Sequence, residues 1–162
     1  MNISGSKTAA GYHFAIVVSR FNDEVTAGLL RGAHDVLDEA SVRADDVTTI
    51  WVPGAFEIPL AARRAAETGQ FDAVICLGCV IKGETQHFEY ISAAASQGIA
   101  DAALATGIPM AFGVLTTLTD EQAVARAGAG PGNKGREAAL AAVEMATLLR
   151  KLPAGPRRGV PA

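Results

Sequence analysis

Short runs of hydrophobic residues alternate along the chain with segments whose hydrophobic positions recur every three or four residues. The runs are too short for helices and rich in β-branched residues, which predicts strands buried on both faces. We place four such strands at residues 14–18, 47–52, 73–80 and 109–115. The periodic segments predict helices that each bury one side. We place these helices at residues 23–40, 58–66, 87–106, 120–127 and 133–151.

Strands that alternate with helices predict an α/β fold, because right-handed crossovers place the helices over both faces of a parallel sheet. We therefore expect a central four-stranded parallel sheet in a three-layer α/β/α arrangement. Residues 13–152 form the predicted single domain, and residues 1–12 precede it as an N-terminal extension. Three prolines and two glycines fall in residues 153–162, which predicts a disordered tail.

Ligands of such sheets bind outside the carboxyl ends of the strands. Three segments that follow predicted strands, residues 19–22, 53–57 and 81–87, are therefore expected to form one candidate site. Phe112 lies within the fourth strand, and residues 116–119 after it are expected to complete the rim.

The segment after the third strand contains the most informative residues. Residues 83–86 are expected to open a helix, whose free N–H groups and positive dipole end favour an anion such as phosphate. His87 follows, and a histidine is the usual proton-transfer group at neutral pH. The alternative is a solvated loop with a surface histidine.

The segment VPGAFEIP, at residues 52–59, places an aromatic ring and a carboxylate beside a rigid Pro-Gly turn. It could present a backbone edge to a flat heterocycle, with Glu57 binding hydroxyl groups. The alternative is an ordinary strand-to-helix turn in which Glu57 only favours the helix N-terminus. Judged by residue type alone, Phe21 and Phe112 are expected in the core.

Composition narrows the class of protein. The 162 residues carry a formal net charge of -3, with a pI near 5.6, which argues against a nucleic-acid partner. The apolar runs are too short for a membrane span, and the N-terminus lacks the apolar segment of a signal peptide. Two cysteines cannot form a disulfide framework, so we expect a reduced, cytoplasmic protein.

Other chemical signals are weaker. Cys76 and Cys79 spell C-x-x-C, but within a buried strand this spacing points them to opposite faces, so zinc or dithiol chemistry is not expected. Residues 128–135 (GAGPGNKG) resemble a phosphate-binding loop but follow a helix and lack the required Lys-Ser/Thr pair. Lys82 and Lys134 could form a Schiff base, although surface lysines are commoner.

Several segments together resemble the lumazine synthase family. The similarity covers residues 14–150, and the matching segments follow the order expected for the family. They are SRFN at 19–22, VPGAFEIP at 52–59, GCVIKGETQH at 78–87, FGVLTT at 112–117, EQ at 121–122 with RAG at 126–128, and NKG at 133–135 with EMA at 144–146.

The resemblance implies a flavodoxin-like three-layer sandwich and a known reaction. In it, 5-amino-6-(D-ribitylamino)uracil condenses with 3,4-dihydroxy-2-butanone 4-phosphate to give 6,7-dimethyl-8-ribityllumazine, phosphate and water. The resemblance implies no cofactor and no metal. A binding or shell-forming protein without turnover on the same scaffold is the alternative.

Residue roles carry over from the same resemblance. His87 is implied as the proton donor and acceptor. The implied pyrimidine and ribityl site comprises Phe21, Ala55, Phe56, Glu57, Cys79, Val80, Ile81 and Phe112. The implied phosphate site comprises Glu84, Thr85, Arg126 and Lys134.

The resemblance also implies that an adjacent subunit supplies Phe112 and Arg126, so a monomer should be inactive. The homo-oligomer is then a pentamer, and some family members join twelve pentamers into a 60-subunit shell. The short glycine-rich turn at residues 126–134 resembles that of the shell-forming members, which predicts the shell here. Pro131 stiffens this turn and could alter its path.

Overall fold

The computed structural model describes residues 1–153, and within them it contains four strands and five α-helices. The strands are β1 (Phe14–Ser19), β2 (Val47–Val52), β3 (Ala73–Ile81) and β4 (Met110–Thr117). The helices are α1 (Asp23–Glu39), α2 (Ile58–Glu67), α3 (His87–Thr106), α4 (Asp120–Ala125) and α5 (Lys134–Lys151). Every predicted element is confirmed, with ends that shift by one or two residues. The tail predicted from residue 153 lies, from residue 154 onward, outside the described residues.

The four strands form one parallel sheet in the order β2-β1-β3-β4. Helices α1 and α5 pack on one face, and α2 and α3 pack on the other. The predicted three-layer α/β arrangement is therefore confirmed. β1 is buried throughout, and β3 is buried up to its last residue, which explains why both were continuous hydrophobic runs in the sequence.

Small residues let the helices of the first face pack closely. A β-carbon at Gly135 of α5 would overlap the backbone carbonyl of Leu29 in α1. A β-carbon at Gly28 of α1 would likewise overlap the carbonyl of Ala127, which follows α4. These glycines allow α1, α4 and α5 to approach within backbone contact.

The two cysteines lie on opposite faces of β3, as predicted. Cys76 packs among the residues under α2 and α3, whereas Cys79 packs under α1 and α5. Burial raises the pKa of the Cys76 thiol to about 12. Burial, with the nearby Asp120 carboxylate, raises the pKa of Cys79 to about 11. Both thiols therefore stay protonated and unreactive at neutral pH.

The N-terminal residues pack against the far end of α5. Ser6 N–H donates to Thr147 Oγ1 at 2.7 Å, and Ala9 N–H donates to the carbonyl of Ala40 at 2.9 Å. Across residues 1–153, we find no helix whose length and hydropathy would suit a membrane span.

Candidate active site

A cleft of about 640 Å³ lies at the carboxyl ends of β1, β2 and β3. β1 stands between β2 and β3, so the chain leaves β1 to one side and returns to its other side. Such a switch in direction opens a crevice in doubly wound sheets. The cleft is lined by Phe21, Pro53, Gly54, Ala55, Phe56, Glu57, Cys79, Val80, Ile81, Gly83, Thr85, His87, Phe88 and Ile91.

The segment after β1 carries Phe21 at the cleft. The ring is 70% exposed, so the expectation from residue type that it belongs to the core is wrong. Phe21 N–H donates to the carbonyl of Pro53 at 3.1 Å, which joins this segment to the one after β2. An exposed aromatic ring held by its backbone at a cleft provides a surface for stacking.

Asn22 joins two of the segments that form the cleft. It stands before α1 with a left-handed backbone (φ 61°) and its side chain makes no capping hydrogen bond. Instead, Asn22 Nδ2 donates to the carbonyl of Cys79 at 3.0 Å. The short amide tolerates this backbone conformation and ties the segment after β1 to the end of β3.

The segment after β2 forms a short 3-10 turn at Ala55–Glu57 before α2 begins. Glu57 N–H donates to the carbonyl of Gly54 at 3.3 Å, which closes the turn. Ala55 is buried, while the Phe56 ring is exposed and Glu57 is half-buried. The turn therefore presents backbone, an aromatic ring and a carboxylate together at the cleft.

The helix α3 begins at His87, as predicted, and residues 83–86 form the segment that leads into it. Thr85 Oγ1 accepts a hydrogen bond from His87 N–H at 3.4 Å. The hydroxyl thereby gives a partner to one of the backbone N–H groups that have none within the helix.

His87 and Thr85 line the cleft from this exposed segment. Glu84 is exposed and is not among the cleft-lining residues. The N-terminus of α3, with the positive end of its dipole, still lies at the cleft beside Thr85 and His87.

A second pocket of about 240 Å³ lies at β4, one of the two edge strands of the sheet. Its lining includes Phe112, Arg126, Lys134 and Glu137. Phe112 is 48% exposed, so the expectation that it belongs to the core is wrong as well. Within one chain, residues 112, 126 and 134 line a pocket separate from the cleft. The family resemblance implies that residues 112 and 126 serve the cleft of an adjacent subunit.

The end of β4 also departs from the prediction. The strand continues to Thr117, so the first half of the expected rim loop at residues 116–119 is strand. Thr116 and Thr117 line the second pocket and do not line the cleft. Lys82 N–H donates to the carbonyl of Thr117 at 2.9 Å, which holds the ends of β3 and β4 together.

Two cations and one carboxylate give the second pocket its charge. Arg126 Nη1 donates to the carbonyl of Gln122 at 2.9 Å, and Lys134 Nζ lies 2.8 Å from Glu137 Oε2. Lys134 N–H donates to the carbonyl of Arg126 at 2.8 Å, so the two cationic residues are joined through the backbone. The charge balance favours an anion at this pocket.

Phe88 and Ile91 line the cleft although no sequence motif assigned them to the site. Both pack against the core from α3. Because they stand in the first turns of α3, they also form an apolar wall of the cleft. Their position directly after His87 was the available signal.

The remaining histidines, His13 and His34, lie outside the cleft, and no metal site accompanies them in residues 1–153. His13 Nε2 is 3.2 Å from Asp46 Oδ1 before β1, and His34 is exposed on α1. Within residues 1–153, no three His, Cys, Asp or Glu side chains are grouped closely enough to hold a metal ion.

Comparison with known proteins gives a consistent result over nearly the whole chain. Residues 11–150 match the sequence profile of the family described as 6,7-dimethyl-8-ribityllumazine synthase. The 6,7-dimethyl-8-ribityllumazine synthase of Salinibacter ruber is 52% identical over 151 residues, covering 93% of this chain and 97% of the relative. The enzyme of the same name from Syntrophus aciditrophicus is 54% identical over 148 residues, covering 91% and 96%.

Proposed function

The chain belongs to the 6,7-dimethyl-8-ribityllumazine synthase family, and from that premise we propose how its two pockets carry out the reaction. The activity is that of a transferase of riboflavin biosynthesis. It condenses 5-amino-6-(D-ribitylamino)uracil with 3,4-dihydroxy-2-butanone 4-phosphate, and releases the lumazine, phosphate and water. The observation that carries the proposal is the cleft itself, where an exposed aromatic ring, a backbone edge, a carboxylate and a histidine meet.

The cleft binds the pyrimidine. The Phe21 side chain stacks on the pyrimidine ring, because it is held at the cleft and its ring is exposed instead of packed in the core. Backbone groups hold the polar edge of the heterocycle. They belong to Ala55, Phe56, Cys79, Val80 and Ile81, which line the cleft at the ends of β2 and β3.

Glu57 binds the ribityl hydroxyls. A half-buried carboxylate at the rim accepts hydrogen bonds from a polyol more strongly than a neutral group does. Its place on the 3-10 turn beside Phe56 supports this assignment, since the ribityl chain extends from the same ring that the aromatic surface covers.

His87 moves the protons. The 5-amino group of the pyrimidine attacks the butanone carbonyl, and water leaves to give an imine. Phosphate is then eliminated, and the resulting enol becomes a ketone. The ribitylamino nitrogen attacks that ketone, and loss of a second water completes the lumazine ring. Each step gives or takes a proton near neutral pH, which suits an imidazole. His87 is exposed at the cleft, at the start of α3, where a substrate bound in the cleft would meet it.

The phosphate binds where the dipole of α3 meets the cations of the second pocket. Glu84 and Thr85 contribute the backbone before α3, and Arg126 and Lys134 contribute positive charge. Because the second pocket is separate from the cleft within one chain, we infer that a neighbouring copy supplies Phe112, Arg126 and Lys134.

A site divided between copies requires a closed ring, since each cleft must meet the second pocket of the next subunit. We propose that the ring is a pentamer of single-domain subunits (residues 13–152) in the cytoplasm. The turn after Arg126 is short and glycine-rich, which supports further assembly of twelve pentamers into a shell. If sedimentation finds only a species of pentamer size, the proposal of a 60-subunit shell is wrong and that of a pentameric ring is retained.

Product formation tests the activity directly. Purified protein mixed with both substrates should generate the absorbance of the lumazine together with one phosphate per turnover. The matched control omits the butanone phosphate, which leaves pyrimidine binding possible and turnover impossible. Protein that binds the pyrimidine and forms no lumazine with both substrates present would be a binding protein, and the enzyme proposal would be wrong.

A further inference from the structure

Asn133 is a buried polar residue at the start of α5 to which the proposed reaction assigns no role. It is 4% exposed, and its carboxamide is fully hydrogen-bonded. Asn133 Oδ1 accepts from Gly135 N–H at 2.8 Å and from Arg136 N–H at 3.1 Å. These two bonds cap α5.

The other half of the carboxamide reaches beyond its own helix. Asn133 Nδ2 donates to the carbonyl of Gly28 in α1 at 3.0 Å and to the carbonyl of Gly128 at 2.9 Å. A single side chain therefore joins three parts of the fold: α1, the turn after α4 and the first turn of α5. Asparagine supplies two donors and an acceptor in one plane, a combination that Asp, Ser and Thr lack.

Asn133 and its four hydrogen bonds, which we call the Asn133 hub, lie between the two cations of the second pocket along the chain. Arg126 precedes the turn, and Lys134 directly follows Asn133. The turn between them contains three glycines, one of them (Gly130) with φ +95°, and Pro131 is its one residue with a fixed φ. The backbone bond from Lys134 N–H to the Arg126 carbonyl joins the ends of this turn, and the Asn133 carboxamide holds the turn to α1. The spacing of the two cations therefore depends on these contacts.

We infer that Asn133 is a positioning residue for phosphate binding: it sets the guanidinium of Arg126 and the ammonium of Lys134 at the spacing that one phosphate group requires. The inference rests on the proposed function, in which those two cations bind the butanone phosphate. Asn133 itself is buried and does not touch the substrate.

Gly32 of α1 gives an independent way to disturb the same hub. A β-carbon there would overlap the carboxamide of Asn133. Alanine is otherwise favoured over glycine in the middle of a helix. Gly32→Ala therefore displaces Asn133 without removing any hydrogen-bonding group and without weakening α1 by itself.

The test measures KM for each substrate and the inhibition constant of inorganic phosphate, in Asn133→Ser and in Gly32→Ala. Each variant should raise KM for the butanone phosphate roughly tenfold, since small misplacements of binding groups are costly. The phosphate inhibition constant should rise alongside it, while KM for the pyrimidine stays within about twofold.

Thr147→Val is the matched control. Thr147 is 3% exposed on the same helix, and its hydroxyl accepts from Ser6 N–H at the end remote from the second pocket. It should lower thermal stability without changing either KM. A rise in the butanone phosphate KM equal to that of Asn133→Ser would mean that any weakening of α5 has this effect, which would overturn the inference.

Arg126→Ala separates this inference from the proposal beneath it. If Arg126→Ala leaves KM for the butanone phosphate unchanged, the phosphate assignment itself is wrong. If Arg126→Ala raises that KM and neither Asn133→Ser nor Gly32→Ala does, only the positioning role is overturned. Gly32→Ala retains every hydrogen-bonding group, so it remains informative if Asn133→Ser folds poorly.

Discussion

The cleft and the second pocket are built in opposite ways. The cleft lies over the carboxyl ends of β2, β1 and β3, and its three segments are bonded to one another through Phe21, Asn22 and the strand ends. The second pocket lies at β4, the edge strand on the other side of the sheet from β2, and its cations stand on either side of a glycine-rich turn. The three joined strand ends thus provide a preorganised surface suited to a flat ring, whereas the β4 edge provides charge that is open to a neighbouring copy.

The two halves of a bisubstrate reaction need different surroundings. Recognition of a heterocycle needs a preorganised apolar surface, which the joined ends of β2, β1 and β3 supply. Recognition of a phosphate needs cations, which are costly to bury and are therefore placed at an edge. Joining the two halves through a subunit contact avoids burying the cations within one chain.

Removal of the cleft histidine should have the largest effect. His87→Ala should lower kcat by about 10²–10⁴-fold, because general acid–base groups contribute that much. KM for the pyrimidine should change little, since Phe21 and the backbone edge remain. His34→Ala, on the exposed side of α1, is the control. If kcat of His87→Ala equals that of the parent protein between about pH 6 and 8, His87 has no part in the mechanism.

Mixing two variants should show whether the pockets belong to one site. His87→Ala damages the cleft, and Arg126→Ala damages the second pocket, so each alone should be poorly active. If the protein is unfolded and reassembled as a 1:1 mixture, about a quarter of the sites should pair an intact cleft with an intact neighbouring pocket.

The control for this experiment mixes the same two proteins after separate assembly, which should yield no recovery. If the reassembled mixture also regains no activity, both pockets act within one chain, and the proposal of a site divided between subunits is wrong.

Arg126→Lys should give a smaller and more selective loss. Lysine keeps the charge but cannot form the planar two-bond fork of a guanidinium with phosphate. We expect KM for the butanone phosphate to rise roughly tenfold with KM for the pyrimidine unchanged. Arg63→Lys, whose guanidinium pairs with Glu67 on α2, is the matched control. Equal rises in both KM values would indicate a structural role for Arg126.

The smallest expected effect concerns the helix that leads to Arg126. Thr119 Oγ1 accepts from Gln122 N–H at 3.2 Å and caps α4. Thr119→Ala should lower the free energy of unfolding by about 1 kcal/mol, measured by urea denaturation. Ser96→Ala, on an exposed face of α3, should leave it nearly unchanged. A Thr119→Ala protein as stable as the parent would show that the cap contributes nothing.

Much of the cleft could be predicted because its signals are local. A buried run followed by a turn predicts the carboxyl end of a strand, and parallel strands bring those ends together. The segments with Phe21, Glu57 and His87 could therefore be assigned together to the carboxyl ends of the strands from the sequence. Residue type misled at Phe21 and Phe112, because an aromatic ring at a binding surface has the same composition signal as one in a core.

The sequence by itself determined the elements, the parallel direction of the strands and the amphipathic character of the helices, because hydrophobic periodicity is set by neighbours along the chain. Only the tertiary structure decided that Asn22 bonds to Cys79 and does not cap α1, and that Asn133 reaches Gly28 from far along the chain. It also separated Phe112 and Arg126 from the cleft. Such contacts form between elements that are far apart along the chain and that the sheet and its crossovers bring together. Hydrophobic periodicity depends on neighbouring residues only, so it cannot predict them.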